Sequence, residues 1–151
     1  MGKGNRAFAT LILAAGKGTR MKSDLVKVLH PVAGRPMLDY VLTLAEQMGS
    51  SRIAVIIGHQ AELVEARYGS RGLAFVYQRE QLGTGHAVLQ AAETFKDYRG
   101  TILILCGDVP LLRASTVREL MDRHRASGAA LTVLTTLLED PFGYGRIVKD
   151  A

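Results

Sequence analysis

Runs of consecutive apolar residues alternate along this chain with stretches whose apolar positions recur every three or four residues. Ala9–Ala15 (ATLILAA) is the first such run, ended by Gly16. Ile53–Ile57, Leu73–Tyr77 and Thr101–Cys106 are of the same kind, and Ala129–Thr136 (AALTVLTT) adds a fifth. Apolar runs without polar alternation predict strands covered on both faces, as in a parallel sheet. Between them, Met37, Tyr40, Val41, Leu44, Ala45 and Met48 fall at helical spacing, with Pro36 in a favourable first-turn position and Gly49 as the stop. Ala61–Arg67 predicts a shorter helix, and the alanine-rich Ala87–Phe95 another after Gly83-Thr84-Gly85. Ser115 or Thr116 can cap a fourth helix running to Ala126, with Val117, Leu120 and Met121 on its apolar side and Gly128 beyond its end. Strand and helix in alternation predict right-handed crossovers and an α/β fold, a three-layer α/β/α sandwich around a mostly parallel, Rossmann-like sheet. No repeat or linker interrupts residues 1–151, so they read as one domain. Gly145-Arg146-Ile147-Val148 opens another strand pattern just before the last residue, so that domain is expected to be incomplete.

Composition narrows the class. Of 151 residues, 48% are hydrophobic, too many for a disordered chain. No apolar run approaches the ~20 residues that a helical membrane span requires, so no membrane partner is expected. Ala7–Ala15, after Lys3 and Arg6, has some likeness to a secretory leader, but Lys17, Arg20 and Lys22 follow it at once, which suits a buried strand better. Cys106 is the single cysteine, which excludes an intrachain disulfide, disfavours a cysteine-based zinc site and fits a cytoplasmic location.

The net charge of +5 is unevenly placed. Lys3 and Arg6 account for part of it, and Lys17, Arg20, Lys22 and Lys27 against Asp24 for the rest. Residues 28–151 are balanced, with Arg118, Arg123 and Arg125 interleaved with Glu119 and Asp122 as on a solvated helix face. A nucleic-acid binder spreads cations along a face or a helix. A basic excess in one glycine-containing loop suits a compact anion, such as the phosphates of a nucleotide.

Three motifs then fall at three predicted strand ends, where open α/β sheets bind their ligands. Leu13-Ala14-Ala15-Gly16-Lys17-Gly18-Thr19-Arg20-Met21 follows the first strand; its small residues let backbone N–H groups approach phosphate oxygens. It is not a dinucleotide fingerprint, because Met21 stands where the third glycine belongs and the second strand ends in Gly58-His59 instead of an acid. That excludes the reading as an NAD-dependent dehydrogenase. A Walker A loop is also absent. Arg20 and Lys27 place two cations near the loop, able to neutralise charge that develops in phosphoryl-type transfer. Gly107-Asp108-Val109-Pro110-Leu111 follows the most apolar strand and offers Asp108 to Mg²⁺ or to a turn. Gln78 to His86 (QREQLGTGH) offers a side-chain amide to a base edge, and backbone groups at Gly83 and Thr84. His30, His59, His86 and His124 lack metal-ligand spacing, and no nucleophile motif occurs, which leaves Ser23 and Cys106 without a nucleophilic role.

In order, LILAAGKGTRMKSDLVKVLHPVAGRPML, QLGTGHAV, GDVPL and GYGRI resemble the sugar-phosphate nucleotidyltransferases, most closely the uridylyltransferase domains of the GlmU-type bifunctional family. The resemblance covers essentially the whole chain. It implies a Mg²⁺-dependent enzyme that makes UDP-N-acetylglucosamine and pyrophosphate from UTP and N-acetylglucosamine-1-phosphate. Leu13, Ala14, Ala15 and Gly16 would pack on the nucleotide, Arg20 and Lys27 would contact phosphates, and Gln78, Gly83 and Thr84 would read uracil. Asp108 would hold Mg²⁺, and Gly145 would contact the sugar through its backbone. Two departures stand out. Val26 replaces the family's proline before the active lysine, which removes a fixed φ worth ~0.4–1 kcal/mol and could loosen Lys27. The remaining sugar contacts, an asparagine metal ligand and the C-terminal acetyltransferase, through which the family forms homotrimers, would lie beyond Ala151. The alternatives are another sugar-1-phosphate nucleotidyltransferase, using glucose-1-phosphate or thymidine triphosphate, and a nucleotide-binding module without turnover.

Overall fold

The computed structural model describes residues 7–148, which leaves Lys3 and Arg6 outside the account. The chain divides into two compact units, Met1–Ala114 and Ser115–Ala151. In the first, the apolar runs form β1 (Phe8–Leu13), β4 (Ile53–Ile57), β5 (Ala74–Tyr77) and β6 (Thr101–Cys106). A two-residue hairpin, β2 (Pro31–Val32) and β3 (Arg35–Pro36), precedes α1 (Met37–Gln47); α2 (Ala61–Tyr68), α3 (Thr84–Gln90) and α4 (Ala92–Phe95) follow in turn. The four long strands make one parallel sheet in the order β5-β4-β1-β6. Its register runs from Phe8 beside Thr101 to Leu13 beside Cys106 on one side of β1, and from Thr10 beside Ile53 to Leu13 beside Ile56 on the other.

That order carries the three-layer architecture. The chain steps from β1 to β4 to β5 in one direction through α1 and α2, then returns across two strands to β6 through α3 and α4. Right-handed crossovers therefore place α1 and α2 on one face and α3 and α4 on the other. On the second face Ala87, Ala91 and Phe95 meet Ala9, Leu11, Ala54, Ile56 and Val76 in one buried cluster. On the first, Arg71 ties α1 to the turn after α2, with Nη2 donating to Glu46 Oε1 at 2.6 Å. Burial, reinforced by the nearby Asp39 carboxylate, pushes the Tyr68 hydroxyl far above the usual phenol range, so this residue stays neutral in the core.

Helix ends follow their local chemistry. Gly49, at φ 78°, closes α1: its N–H donates to Glu46 O at 2.9 Å and the N–H of Ser50 to Ala45 O at 3.2 Å. Pro36 precedes α1 as its cap, at φ −52° and ψ 144°. The predicted helix over 87–95 starts earlier, at Thr84, and breaks at Ala91, whose ψ of 1° leaves the helical range.

Two expectations fail. β6 is not covered on both faces: Leu103 and Leu105 are buried, but Ile102 and Ile104 are exposed. They share a face with Ala9 and Leu11, and the cluster that α3 and α4 build there includes no residue of β6. In the second unit, α5 (Ala114–Ser127) begins ahead of both Ser115 and Thr116 and ends at Gly128, with φ 63°. After it, neither 129–136 nor 145–148 forms a strand. Leu131, Val133 and Leu134 are exposed, because a strand exists only as part of a ladder and this unit, among its described residues, holds none. No helix of the described residues is long and apolar enough to cross a membrane.

Thr10, at the centre of β1, is fully buried and its Oγ1 has no hydrogen-bond partner. An unpaired hydroxyl in such a place is destabilising relative to a methyl of the same shape. Thr10→Val is expected to stabilise the chain by about 1 kcal/mol, seen as a higher midpoint in thermal or urea unfolding.

Candidate active site

β1 and β6 are neighbours although β4 and β5 lie between them in sequence, so the strand order reverses at β1, and sheets of this kind bind ligands outside the carboxyl ends of the strands at such a point. A cavity of about 340 Å³ lies in this unit. Leu13, Ala14, Ala15, Gly16, Lys27, Gln78, Gly83, Thr84 and Asp108, all singled out from sequence, line it together. Val28, Gln81, Ala87 and Cys106 complete the lining. Two other candidates stand apart. Arg20 is exposed on the 3₁₀ turn Thr19–Met21 and does not line the cavity. Gly145 belongs to the second unit, where it too is exposed.

The walls come together because three glycines lack a Cβ. At Gly58 an added Cβ would meet Gln78 O at 2.9 Å and Ala15 Cβ at 3.0 Å, so only glycine lets the ends of β1, β4 and β5 close on one another. At Gly107 it would meet Leu13 O at 3.1 Å and Ala14 Cβ at 3.3 Å, and the Gly107 N–H donates to that same Leu13 O at 2.9 Å. At Gly18, with φ 63°, it would lie 2.7 Å from Lys27 Cβ. Gly58 is the one sequence reading passed over, since its role depends on Ala15 and Gln78, which are remote in sequence.

Beyond β1 the backbone turns its donors outward. The N–H of Ala14 still donates to Ile56 O at 2.8 Å, but those of Ala15, Gly16, Lys17 and Gly18 donate to no acceptor among the described residues. Successive free N–H groups beside a cavity form a concavity suited to anions. The basic loop is then pinned back at its far end. Gln60 Nε2 donates to Asp24 O at 2.5 Å, and His30 Nε2 donates to Leu25 O at 3.0 Å. Val26 is fully buried at φ −55° and ψ 137°, the conformation a proline would impose, so packing supplies the constraint that the missing ring would have provided.

Lys27 therefore projects to a defined place. Its Nζ donates to Asp108 Oδ2 at 2.6 Å, with both side chains about one-third exposed. Across the cavity, Gln78 is buried, and its Nε2 donates to Gly83 O at 3.1 Å and to His86 Nδ1 at 3.0 Å. Cys106 stands between these charges. Burial first, then the Asp108 carboxylate, raise its thiol above the ordinary range, while Lys27 works against them. A protonated thiol is a poor nucleophile. The arrangement has the means to hold an anion at its loop, a planar polar group near Gln78 and a cation at Asp108; it has no nucleophile–base pair.

Comparisons with known proteins bear on the family and the fold. The family described as MobA-like NTP transferase domain matches residues 10–146. The chain is 58% identical over 143 residues to the bifunctional protein GlmU of Geobacter metallireducens, an alignment spanning 94% of this chain and 30% of that protein. It is 56% identical to the bifunctional protein GlmU of Pelobacter propionicus, across 94% of this chain and 31% of that one. It thus spans about a third of the length of the curated relatives it matches. In structure it resembles Rv0371c of Mycobacterium tuberculosis, solved as a complex with manganese, with a TM-score of 0.63 at 26% identity, over 80% of this chain and 60% of that one.

The thiol reports on the ion pair. Because Asp108 raises the Cys106 pKa, Asp108→Asn is expected to lower it and to leave Lys27 acting unopposed. More thiolate is then present at pH 8, so the single cysteine should react faster with iodoacetamide in the variant than in the unsubstituted chain. An equal or slower rate, followed by mass spectrometry, would contradict the assigned electrostatics.

Proposed function

The chain belongs to the MobA-like NTP transferase domain family, and on that premise we propose that it carries the nucleotide site of a Mg²⁺-dependent uridylyltransferase, which makes UDP-N-acetylglucosamine and pyrophosphate from UTP and N-acetylglucosamine-1-phosphate. One observation carries the reading: Lys27 and Asp108 meet at 2.6 Å on the wall of a cavity whose other walls are the glycine loop and Gln78. Identities of 58% and 56% to proteins named GlmU support the choice of sugar and base. In this reading residues 1–151 are the N-terminal part of a nucleotidyltransferase domain.

The reaction is an in-line displacement. A phosphate oxygen of the sugar phosphate attacks the α-phosphorus of UTP; the new P–O bond forms as the bond to the pyrophosphate oxygen breaks, and pyrophosphate leaves with the electron pair. No group of the enzyme is covalently modified, so the chain contributes position and charge. Leu13 to Gly16 pack on the nucleotide, and the free N–H groups of residues 15–18 and the ammonium of Lys27 receive its phosphates. Arg20, on the same loop, serves the outer phosphates. Gln78, Gly83 and Thr84 take the uracil.

Asp108 bears on the metal. Among the described residues no three His, Cys, Asp or Glu side chains gather as a cage. A single carboxylate beside an anion site fits a hard cation that takes its other ligands from water and phosphate, as Mg²⁺ does. When bound, such a cation neutralises phosphate charge. In this reading the Lys27 ammonium would pass from Asp108 to the phosphates, leaving the carboxylate free for the cation.

Calorimetry of the chain with UTP and Mg²⁺, run beside a pyrophosphate-release assay, tests the proposal. Binding is expected, and Lys27→Ala should weaken it by about tenfold or more, the effect of a lost charge-assisted contact, with the unfolding midpoint unchanged. Full affinity in the Lys27→Ala chain would remove Lys27 from the site. Because the chain covers about a third of its relatives' length, binding without pyrophosphate release would assign these residues the nucleotide site alone.

A further inference from the structure

Gln78 is the polar side chain buried deepest in the cavity wall, yet a glutamine amide by itself does not say which base it selects. Its oxygen accepts and its nitrogen donates, and a half-turn about the last bond exchanges them. In this structure the choice is made by its neighbours. The Gly83 carbonyl can only accept, so the atom 3.1 Å from it is the nitrogen. The second hydrogen of that nitrogen points to His86 Nδ1 at 3.0 Å. Both donors of Gln78 are thereby used, and Oε1, an acceptor, is left for the cavity.

His86 completes this only as an acceptor at Nδ1. Its proton is then on Nε2, 3.1 Å from Gln90 Nε2; a half-turn of that exposed amide, which no other hydrogen bond among the described residues fixes, sets its oxygen there to accept. The row Gln78–His86–Gln90 runs along α3 from the cavity to solvent, and fixes the polarity of its inner end. A pyrimidine with a protonated ring N3, as in uracil, donates to such an oxygen; cytosine presents a lone pair at N3 and meets it acceptor against acceptor.

We propose that His86 is the positioning residue that sets base selectivity, by holding Gln78 with its oxygen toward the base, so that the site takes uridine over cytidine nucleotides. The inference rests on the reading of the cavity as a nucleotide site and adds to it a residue that does not line the cavity. Removing the acceptor at position 86 frees Gln78 Nε2 to turn toward the base, which weakens uracil and favours cytosine. The effect is on preference, not on affinity alone, and that separates it from a merely structural role.

The test is calorimetry with UTP and with CTP, each with Mg²⁺, on the full chain, on His86→Phe and on His86→Asn. The unsubstituted chain should prefer UTP. His86→Phe should reduce that preference by about fivefold or more, the worth of one hydrogen bond of ordinary strength. His86→Asn, whose oxygen stands near the place of Nδ1, should keep it. A preference unchanged in His86→Phe, or lost in a folded His86→Asn, would overturn the proposal, as would equal binding of UTP and CTP by the unsubstituted chain; the last result would leave the nucleotide site itself standing. Failure of the unsubstituted chain to bind either nucleotide would remove the nucleotide site and this proposal together.

Discussion

An ion pair between residues 81 positions apart organises this site. Lys27 reaches the cavity from the connection after β1, and Asp108 from the end of β6. These two strands are neighbours in the sheet only because the chain returns from β5 across β4 and β1. The reversal in strand order brings the carboxyl ends of these two strands side by side, the place where open α/β sheets bind their ligands. Each partner is about one-third exposed, so solvent screens the pair and it contributes little to stability. Its meaning is chemical: on the nucleotide reading, a cation and a carboxylate that each suit one component of a metal–triphosphate hold each other in place.

Keeping those charges in register depends on very close backbone packing. Gly58 joins the ends of β1, β4 and β5; Gly107 presses the end of β6 against Leu13; Gly18 leaves room for the stem of Lys27. None of these positions is available to a residue with a side chain unless backbone moves by some tenths of an ångström. The same closeness uses up backbone acceptors near the strand ends, while the N–H groups of residues 15–18 have no acceptor among the described residues. Rigid strand ends and an unsatisfied loop are two results of one constraint.

Much of this was legible in the sequence, for a physical reason. The strands of the sheet are runs dominated by apolar residues, and such a run depends on nothing outside itself to be recognised. The small residues after β1 and the aspartate after β6 were likewise identified locally, and the cavity does bring Leu13–Gly16, Lys27, Gln78, Gly83, Thr84 and Asp108 together. What could not be read depends on distant partners. Gly58 looks like a strand stop until Ala15 and Gln78 approach it. Gln60 is an ordinary amide until it reaches Asp24, and His86 a histidine without metal spacing until it meets Gln78. The opposite error has the same origin: Ala129–Thr136 has the composition of a strand, but composition does not supply a ladder partner, and the segment stays irregular.

A site with one carboxylate and one paired lysine has a built-in dependence between its ligands. A cation arriving alone must displace Lys27 from Asp108 and would leave the ammonium beside another positive charge. On the proposed reading, a triphosphate bound with its cation would give Lys27 an anionic partner and Asp108 the metal, so that no charge would be stranded in the half-buried cavity. Desolvated, uncompensated charge is the costly state in such a place. On that reading, metal and nucleotide would enter as one complex and not stepwise. A loop with so little side chain would then suffice for the phosphates, since on that reading most of the balancing charge would come with the ligand or is already held at Lys27.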